Sequence, residues 1–237
     1  MTTDRVRSEP NRVYAIGDIH GRLDLLERAI EAIRRDVAER GDAALTVTVG
    51  DYVDRGPQSR GVIERLAANP FPTPYEALKG NHEDMLEAFL ADPSAGAPWF
   101  DNGGEETLQS YGVRLRGFGA MDFEEARVAL AAALPAAHLD FLRGLKTSFS
   151  HGRYFFCHAG VQPGVALARQ REEDLLWIRE PFLASEEDFG AIVVHGHTPV
   201  RAPEVRANRI GIDTGAFASG RLTCVALEEG EPRFLKV

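Results

Sequence analysis

Apolar positions along the chain open with a strand, a helix and a strand. Val13, Tyr14, Ala15 and Ile16 form a short apolar run stopped by Gly17, after which Leu26, Ile30, Ile33 and Val37 recur at helical spacing as far as Gly41. A second apolar run follows over 45–49. A right-handed crossover would make two such strands parallel and set their carboxyl ends on one edge of a sheet. The same alternation predicts a helix over 58–68, a strand over 75–78 and a helix over 83–90. From about 92 to 145 the pattern changes: Pro and Gly punctuate a helical stretch, with candidate helices over 105–111, 123–133 and 136–142. This stretch reads as a helical insertion or cap and not as a separate domain. Beyond it, short strands over 154–157, 192–194, 209–212, 222–227 and 233–236 make a β-rich half. Residues 1–11 are polar and aperiodic, which predicts a mobile tail ahead of a single α/β domain over 12–237.

Composition narrows the partners. A net charge of -9 weighs against a partner held by a phosphate backbone, because such proteins present a basic face, so nucleic acid is not expected. The two cysteines, Cys157 and Cys224, each sit inside an apolar stretch and read as buried thiols in a reducing compartment. The longest apolar stretch, 128–137, is too short to span a bilayer and is interrupted by Pro135, and the first residues carry no apolar segment. A cytoplasmic protein without a membrane partner is expected.

The chemistry lies where the strands end. Four predicted strands run into Gly17-Asp18-Ile19-His20-Gly21, Gly50-Asp51, Gly80-Asn81-His82-Glu83 and His158-Ala159-Gly160, and a fifth into His195-Gly196-His197-Thr198. In open α/β sheets the loops beyond the carboxyl ends of strands form the ligand crevice, so groups far apart in sequence converge there. Each motif alone is explained by a turn or a helix start. Five of the seven histidines placed at strand ends, each with a Gly within two residues, are not. Carboxylate, imidazole and amide oxygen together suit manganese, iron or zinc, and the near absence of thiolates argues against a structural zinc site. His138, in an Ala-rich helix, and His151, in a turn before a strand, are assigned no chemistry. Arg55, just after Asp54, has the planar bidentate donors that suit phosphate oxygens. Asn102-Gly103-Gly104 reads as a turn before a helix, with a pocket edge as the other reading.

The order GDIHG, GDYVDRG, GNHE, HAG and GHT resembles the phosphoprotein phosphatase family of the calcineurin-like metallophosphoesterases. The likeness runs from about Arg12 to the C-terminus. LLWIRE and the IDTGA segment from Ile212 to Ala216 point to the compact bacterial and phage members of the lambda protein phosphatase type. The resemblance implies an α/β fold made of a two-sheet β-sandwich flanked by helices. It implies two divalent metal ions per chain, manganese first among manganese, iron and zinc. Asp18, His20 and Asp51 would hold one ion, and Asp51 would bridge to a second held by Asn81, His158 and His197. His197 is preferred over His195 because the family's metal histidine follows the Gly of the GHT element, which leaves His195 as a strand-end imidazole. Arg55, Arg179 and Asn81 match phosphate-binding positions, and His82 with Asp54 matches the proton-donor pair. Arg179 rests on the resemblance alone.

The family's wider pattern ends in GHxH, but its last histidine is here Pro199, which favours the phosphatase branch over nucleases and cyclic phosphodiesterases. No segment matches the SAPNY element of eukaryotic catalytic subunits, and regulatory subunits are not indicated. The expected activity is a metal-dependent phosphomonoesterase acting on phosphorylated protein or a small phosphoester, with phosphoserine and phosphothreonine first. In this mechanism, water or hydroxide bridging two divalent metals attacks phosphorus. A dinucleoside polyphosphate (diadenosine tetraphosphate) hydrolase and a non-catalytic metal-binding module are the alternatives.

Overall fold

Alternation along the first strand sets the layers of the fold. In β1 (Arg12–Ile16), Val13 and Ala15 face a second sheet while Tyr14 and Ile16 face helices, and all four are buried. The computed structural model describes residues 11–41, 43–114 and 122–237; the tail expected over 1–11 lies, but for Asn11, outside them.

β1 pairs in parallel with β2 (Ala44–Thr48), and β2 in parallel with β3 (Tyr75–Ala77). The crossovers are α1 (Leu23–Arg40) and α2 (Ser59–Ala67). α1 buries the stripe Leu25, Leu26, Ala29, Ile30 and Ile33, carries Asp24 in its first turn and Arg40 in its last, and stops at Gly41, whose positive φ of 89° turns the chain out. After β3 come α3 (Asn81–Ala91) and the insertion, with α4 (Gly96–Asp101), α5 (Gly104–Ser110), α6 (Phe123–Ala133) and α7 (Ala136–Arg143). The insertion packs on the first sheet's helical side: Trp99, Leu108, Leu130 and Leu142 share one core with Tyr14, Ile30 and Leu66.

The second sheet contains β4 (Ser148–His151), β5 (Tyr154–Cys157), β6 (Ile192–His195), β7 (Glu204–Val205) and β8 (Arg209–Gly211), in the order β4-β5-β6-β8-β7. β5, β6 and β8 are parallel, with β4 and β7 antiparallel at the edges. Two short helices follow in this half, α8 (Glu172–Trp177) and α9 (Ala216–Ser219). The chain then returns to the first sheet as β9 (Cys224–Leu227) and β10 (Arg233–Phe234), giving β10-β9-β1-β2-β3. Between the sheets lie Val13, Val47, Phe156, Val194, Ile212 and Val225; burying a side chain such as Phe156 contributes about 1.5–3 kcal/mol. The outer face of the second sheet is covered by Leu175 and Phe182 packed on Phe155 and Val193.

The fold is the expected two-sheet sandwich with flanking helices. The differences lie in short elements. β4 and β7 escape the apolar pattern because they are half-exposed edge strands of mixed polarity, and His151, read as a turn, is the last residue of β4 opposite Tyr154. α4 begins Gly-Ala-Pro and α8 is a single acidic-led turn and a half, so neither shows a helical stripe long enough to see. Cys157 and Cys224 are free and buried. Among the described residues no helix is long and apolar enough to cross a membrane.

Candidate active site

The carboxyl ends of β1, β2 and β3 in one sheet and of β5 and β6 in the other open on the same crevice. The loops are tied by main-chain hydrogen bonds: Ile19 and His20 N–H both donate to the Asp51 carbonyl at 2.9 and 2.8 Å, and Gly196 N–H donates to the His158 carbonyl at 2.8 Å. Glu83 knots the first sheet's loops, its buried carboxylate accepting from the N–H groups of Asp51, Tyr52, Val53 and Gly80 at 2.7–3.2 Å. The sheets meet where His197 N–H donates to the Asp18 carboxylate at 3.0 Å, and the neighbouring Gly196 is obligatory because a Cβ there would enter that carboxylate. Among the described residues six non-glycines have positive φ, from 43° to 68°, and five of them are His20, Asp51, Asp54, Arg55 and His197. Such backbone costs about 1–3 kcal/mol per residue and persists only where its surroundings enforce it.

Two clusters share Asp51. One is His20, Asp51 and His82, the other Asp18, Asp51 and His158; the potential ligand atoms within each lie within 4.8 Å of one another, and all are buried. His20 and His158 each turn Nδ1 to a backbone carbonyl, of Val53 at 2.8 Å and of Val49 at 2.9 Å. Nδ1 must then carry the proton, which leaves the Nε2 lone pair facing Asp51 at 3.4 and 3.3 Å, the orientation of a metal-ligating imidazole. Asn81 joins the second cluster through Oδ1, 2.9 Å from both His158 Nε2 and His197 Nδ1.

The charge balance of this crevice is unusual. Burial, Asp213 and Asp51 push the Asp18 carboxyl well up; burial raises Asp51; burial raises Asp213 to about 6. Burial holds His158 down at about 3 and His197 at about 2. Asp18 Oδ1 and His197 Nε2 are buried without a hydrogen-bond partner. Packed carboxylates, neutral imidazoles and orphaned polar atoms fit bound cations, and the clusters are consistent with a dinuclear metal centre.

Beside them stands a His–Asp pair. His82 Nδ1 lies 2.7 Å from Asp54 Oδ2, and its ring meets His20 edge-on at 4.6 Å, with Nε2 turned to Asp51 at 3.9 Å. Asp54 is fully buried, and burial drives its carboxyl up against donors from the insertion, Thr107 Oγ1 at 2.6 Å and Trp99 Nε1 at 2.9 Å. Arg55 is half-buried, with Nη1 3.2 Å from His20 Nε2. Arg179 is exposed and reaches the site as a charge, one of those that hold down His158 and His197.

The model of the calcineurin-like phosphoesterase family matches residues 11–224. The chain belongs to the calcineurin-like phosphoesterases. It is a phosphoric ester hydrolase of that family. It is 30% identical over 222 residues to serine/threonine-protein phosphatase 1 of Salmonella typhimurium, covering 91% of this chain and 92% of that protein. It is 25% identical over 236 residues to an asymmetrical bis(5'-nucleosyl)-tetraphosphatase of Halalkalibacterium halodurans, covering 91% and 90%. In fold it is similar to the crystal structure of a candidate diadenosine tetraphosphatase, at a TM-score of 0.67 and 21% identity over 95% of this chain and 93% of that one.

The crevice thus gathers Asp18, His20, Asp51, Asn81, His82, His158 and His197, with Asp54 behind His82, Arg55 beside His20 and Arg179 exposed nearby. His195 stays out of it: the last residue of β6, it packs edge-on against Phe182 at 5.0 Å, and burial holds it neutral with a value of about 4. His138 donates to or accepts from Tyr111 Oη at 2.9 Å in the core. Sequence reasoning missed Glu83, Trp99, Thr107 and Asp213. Glu83 and Asp213 stood inside quoted motifs, GNHE and IDTGA, whereas nothing local marks Trp99 or Thr107 as partners of Asp54.

Proposed function

We propose that this metallophosphoesterase is a serine/threonine protein phosphatase. The observation that carries the reading is the His82–Asp54 pair set against the cluster at Asp51, because a serine or threonine alkoxide leaves poorly and needs a proton as the P–O bond breaks. In support, a serine/threonine-protein phosphatase is similar over 91% of the chain. The dinucleoside polyphosphate reading keeps its place through relatives of that kind at 24–27% identity.

Asp18, His20 and Asp51 would hold one divalent ion, and Asp51, Asn81, His158 and His197 the other; manganese is our first choice, since carboxylate and amide oxygens favour it. Bound there, the ions supply Lewis-acid charge and lower the pKa of water. The chain's own groups do the rest. Arg55, Arg179 and the Asn81 amide bind and orient the phosphate oxygens and offset charge that grows on them. Asp54 accepts from His82 Nδ1 and fixes the ring, the Asp51 charge opposes the burial that disfavours its cation, and Nε2 gives its proton to the leaving oxygen. Water supplies the new P–O bond, the alcohol departs, and the lost proton returns from solvent.

His82→Asn is expected to lower kcat by ~10²–10⁴-fold on a phosphoserine peptide and far less on an activated aryl phosphate. Equal losses on both would remove His82 as the acid. Side-by-side turnover of the wild-type protein on the peptide and on diadenosine tetraphosphate decides the substrate, and a preference for the dinucleotide would overturn the protein phosphatase reading.

A further inference from the structure

Phe217 is an exposed aromatic side chain in a place where exposure has a cost. It sits in α9, a four-residue helix between left-handed Gly215 and Gly220, and keeps 38% of its surface accessible. Its ring is nevertheless engaged. The Arg55 guanidinium carbon lies 4.9 Å from its centroid, and the His20 ring meets it edge-on at 5.4 Å. Arg55 Nη1 in turn lies 3.2 Å from His20 Nε2. Guanidinium, imidazole and phenyl therefore form one contiguous group at the His20 end of the crevice.

The backbone of Arg55 is held from the other side. Its N–H donates to the Gly103 carbonyl at 3.1 Å, and its own φ of 66° is left-handed. Gly103 has φ of 96°, and a Cβ there would stand 2.7 Å from Arg55 N and 2.8 Å from its Cγ. The turn at Asn102-Gly103-Gly104 is thus both the start of α5 and a wall against the Arg55 stem. Gly103 fixes the main chain and the stem, which leaves the long side chain's head to be placed. A free arginine head carries substantial rotamer entropy, and an aromatic face attracts it without using its N–H donors.

We propose that Phe217 is a positioning residue: its ring keeps the Arg55 guanidinium at the His20 end of the crevice, from where it turns from His20 Nε2 to a phosphate dianion when that nitrogen holds a metal ion, with Gly103 bracing the stem. This rests on the reading of Arg55 as a phosphate-binding group. A ring–guanidinium contact at a partly exposed site corresponds to roughly a two- to fivefold effect on binding. Leucine keeps apolar bulk but has no ring face; tyrosine keeps the face.

The test is a double-mutant cycle on manganese-loaded protein, with the Kd of inorganic phosphate from calorimetry as readout and kcat/KM on an aryl phosphate beside it. Phe217→Leu is expected to weaken phosphate about two- to fivefold, Phe217→Tyr to restore it, and Phe217→Leu to add nothing in the Arg55→Ala background. Equal losses with and without Arg55 would show that Phe217 acts through His20 or the local fold, and would overturn the proposal. So would an unchanged Kd in Phe217→Leu, or a tyrosine variant as weak as leucine, while Arg55→Ala still weakens phosphate. If Arg55→Ala leaves the Kd unchanged, the phosphate-binding reading of Arg55 falls, and the role of Phe217 falls with it.

Discussion

The two ends of β1 carry polar clusters of opposite character. At its start, Asp36 is met by Arg233 through both carboxylate oxygens at 2.6 and 2.8 Å and by Tyr14 Oη at 2.6 Å, with Arg12 and Arg40 within 4 Å and Glu228 bonded to Arg12. Cations outnumber anions, and the Asp36 carboxyl is held below its ordinary value by these partners against its burial. Beyond the other end of the strand, Asp18, Asp51 and Asp213 are pushed up by burial, and Asp18 keeps an unpartnered oxygen. The first cluster is complete within the chain. The second is complete only with added positive charge, and five strained residues hold it in that condition. A buried polar cluster that balances itself serves the fold, and one that does not marks the site.

The largest effect that can test this contrast is at Asp51, which both metal clusters share. Asp51→Asn keeps the shape and removes the charge. It is expected to leave fewer than two metal equivalents per chain by elemental analysis. Activity should fall by more than the ~10–100-fold typical of losing a residue that only supports a ligand. Two tightly retained ions would break the contrast, because the cluster would then not depend on its shared carboxylate.

A second effect lies within the site. Arg55 is half-buried and braced by Gly103 and Phe217, whereas Arg179 is exposed. A preorganised cation in a partly dry crevice is worth more than one screened at the rim. Arg55→Ala should lower kcat/KM by ~10²–10³-fold, and Arg179→Ala by about tenfold or less, with the contribution of Arg179 shrinking as salt is raised. Equal losses at all ionic strengths would show that bracing makes no difference.

How much of this could be read from sequence follows from how local each cause is. β1, β2, β5 and α6 were visible because an apolar run or stripe is a property of neighbours in the chain. The strand-end motifs were visible because Gly, Asp, His and Asn recur together at each predicted strand end. Asp54's partners were not: Thr107 and Trp99 are 53 and 45 positions away, in an insertion whose helices gave no hint of what they faced. The left-handed backbone at His20, Asp51 and His197 was equally hidden, since Asp and His adopt it more readily than most residues but only the crossing loops decide where it falls. Phe217 looked like an ordinary apolar residue until Arg55 was seen lying over it.

The smallest effect belongs to the self-balanced end of the strand. Asp36→Asn removes the anion that Arg233 grips with two donors, and should cost about 2–3 kcal/mol of stability at pH 7 without changing metal content or kcat. The Asp36 carboxyl is depressed in the folded state. Its contribution is therefore fully present above the unfolded value of about 4 and is lost as pH falls through the lower, folded value. Urea unfolding of wild type and variant should show the gap at pH 7 narrowing as the medium is acidified below about pH 4. A gap of constant size would mean that packing around Tyr14 and Arg233, and not the charge of Asp36, holds that end of the sheet together.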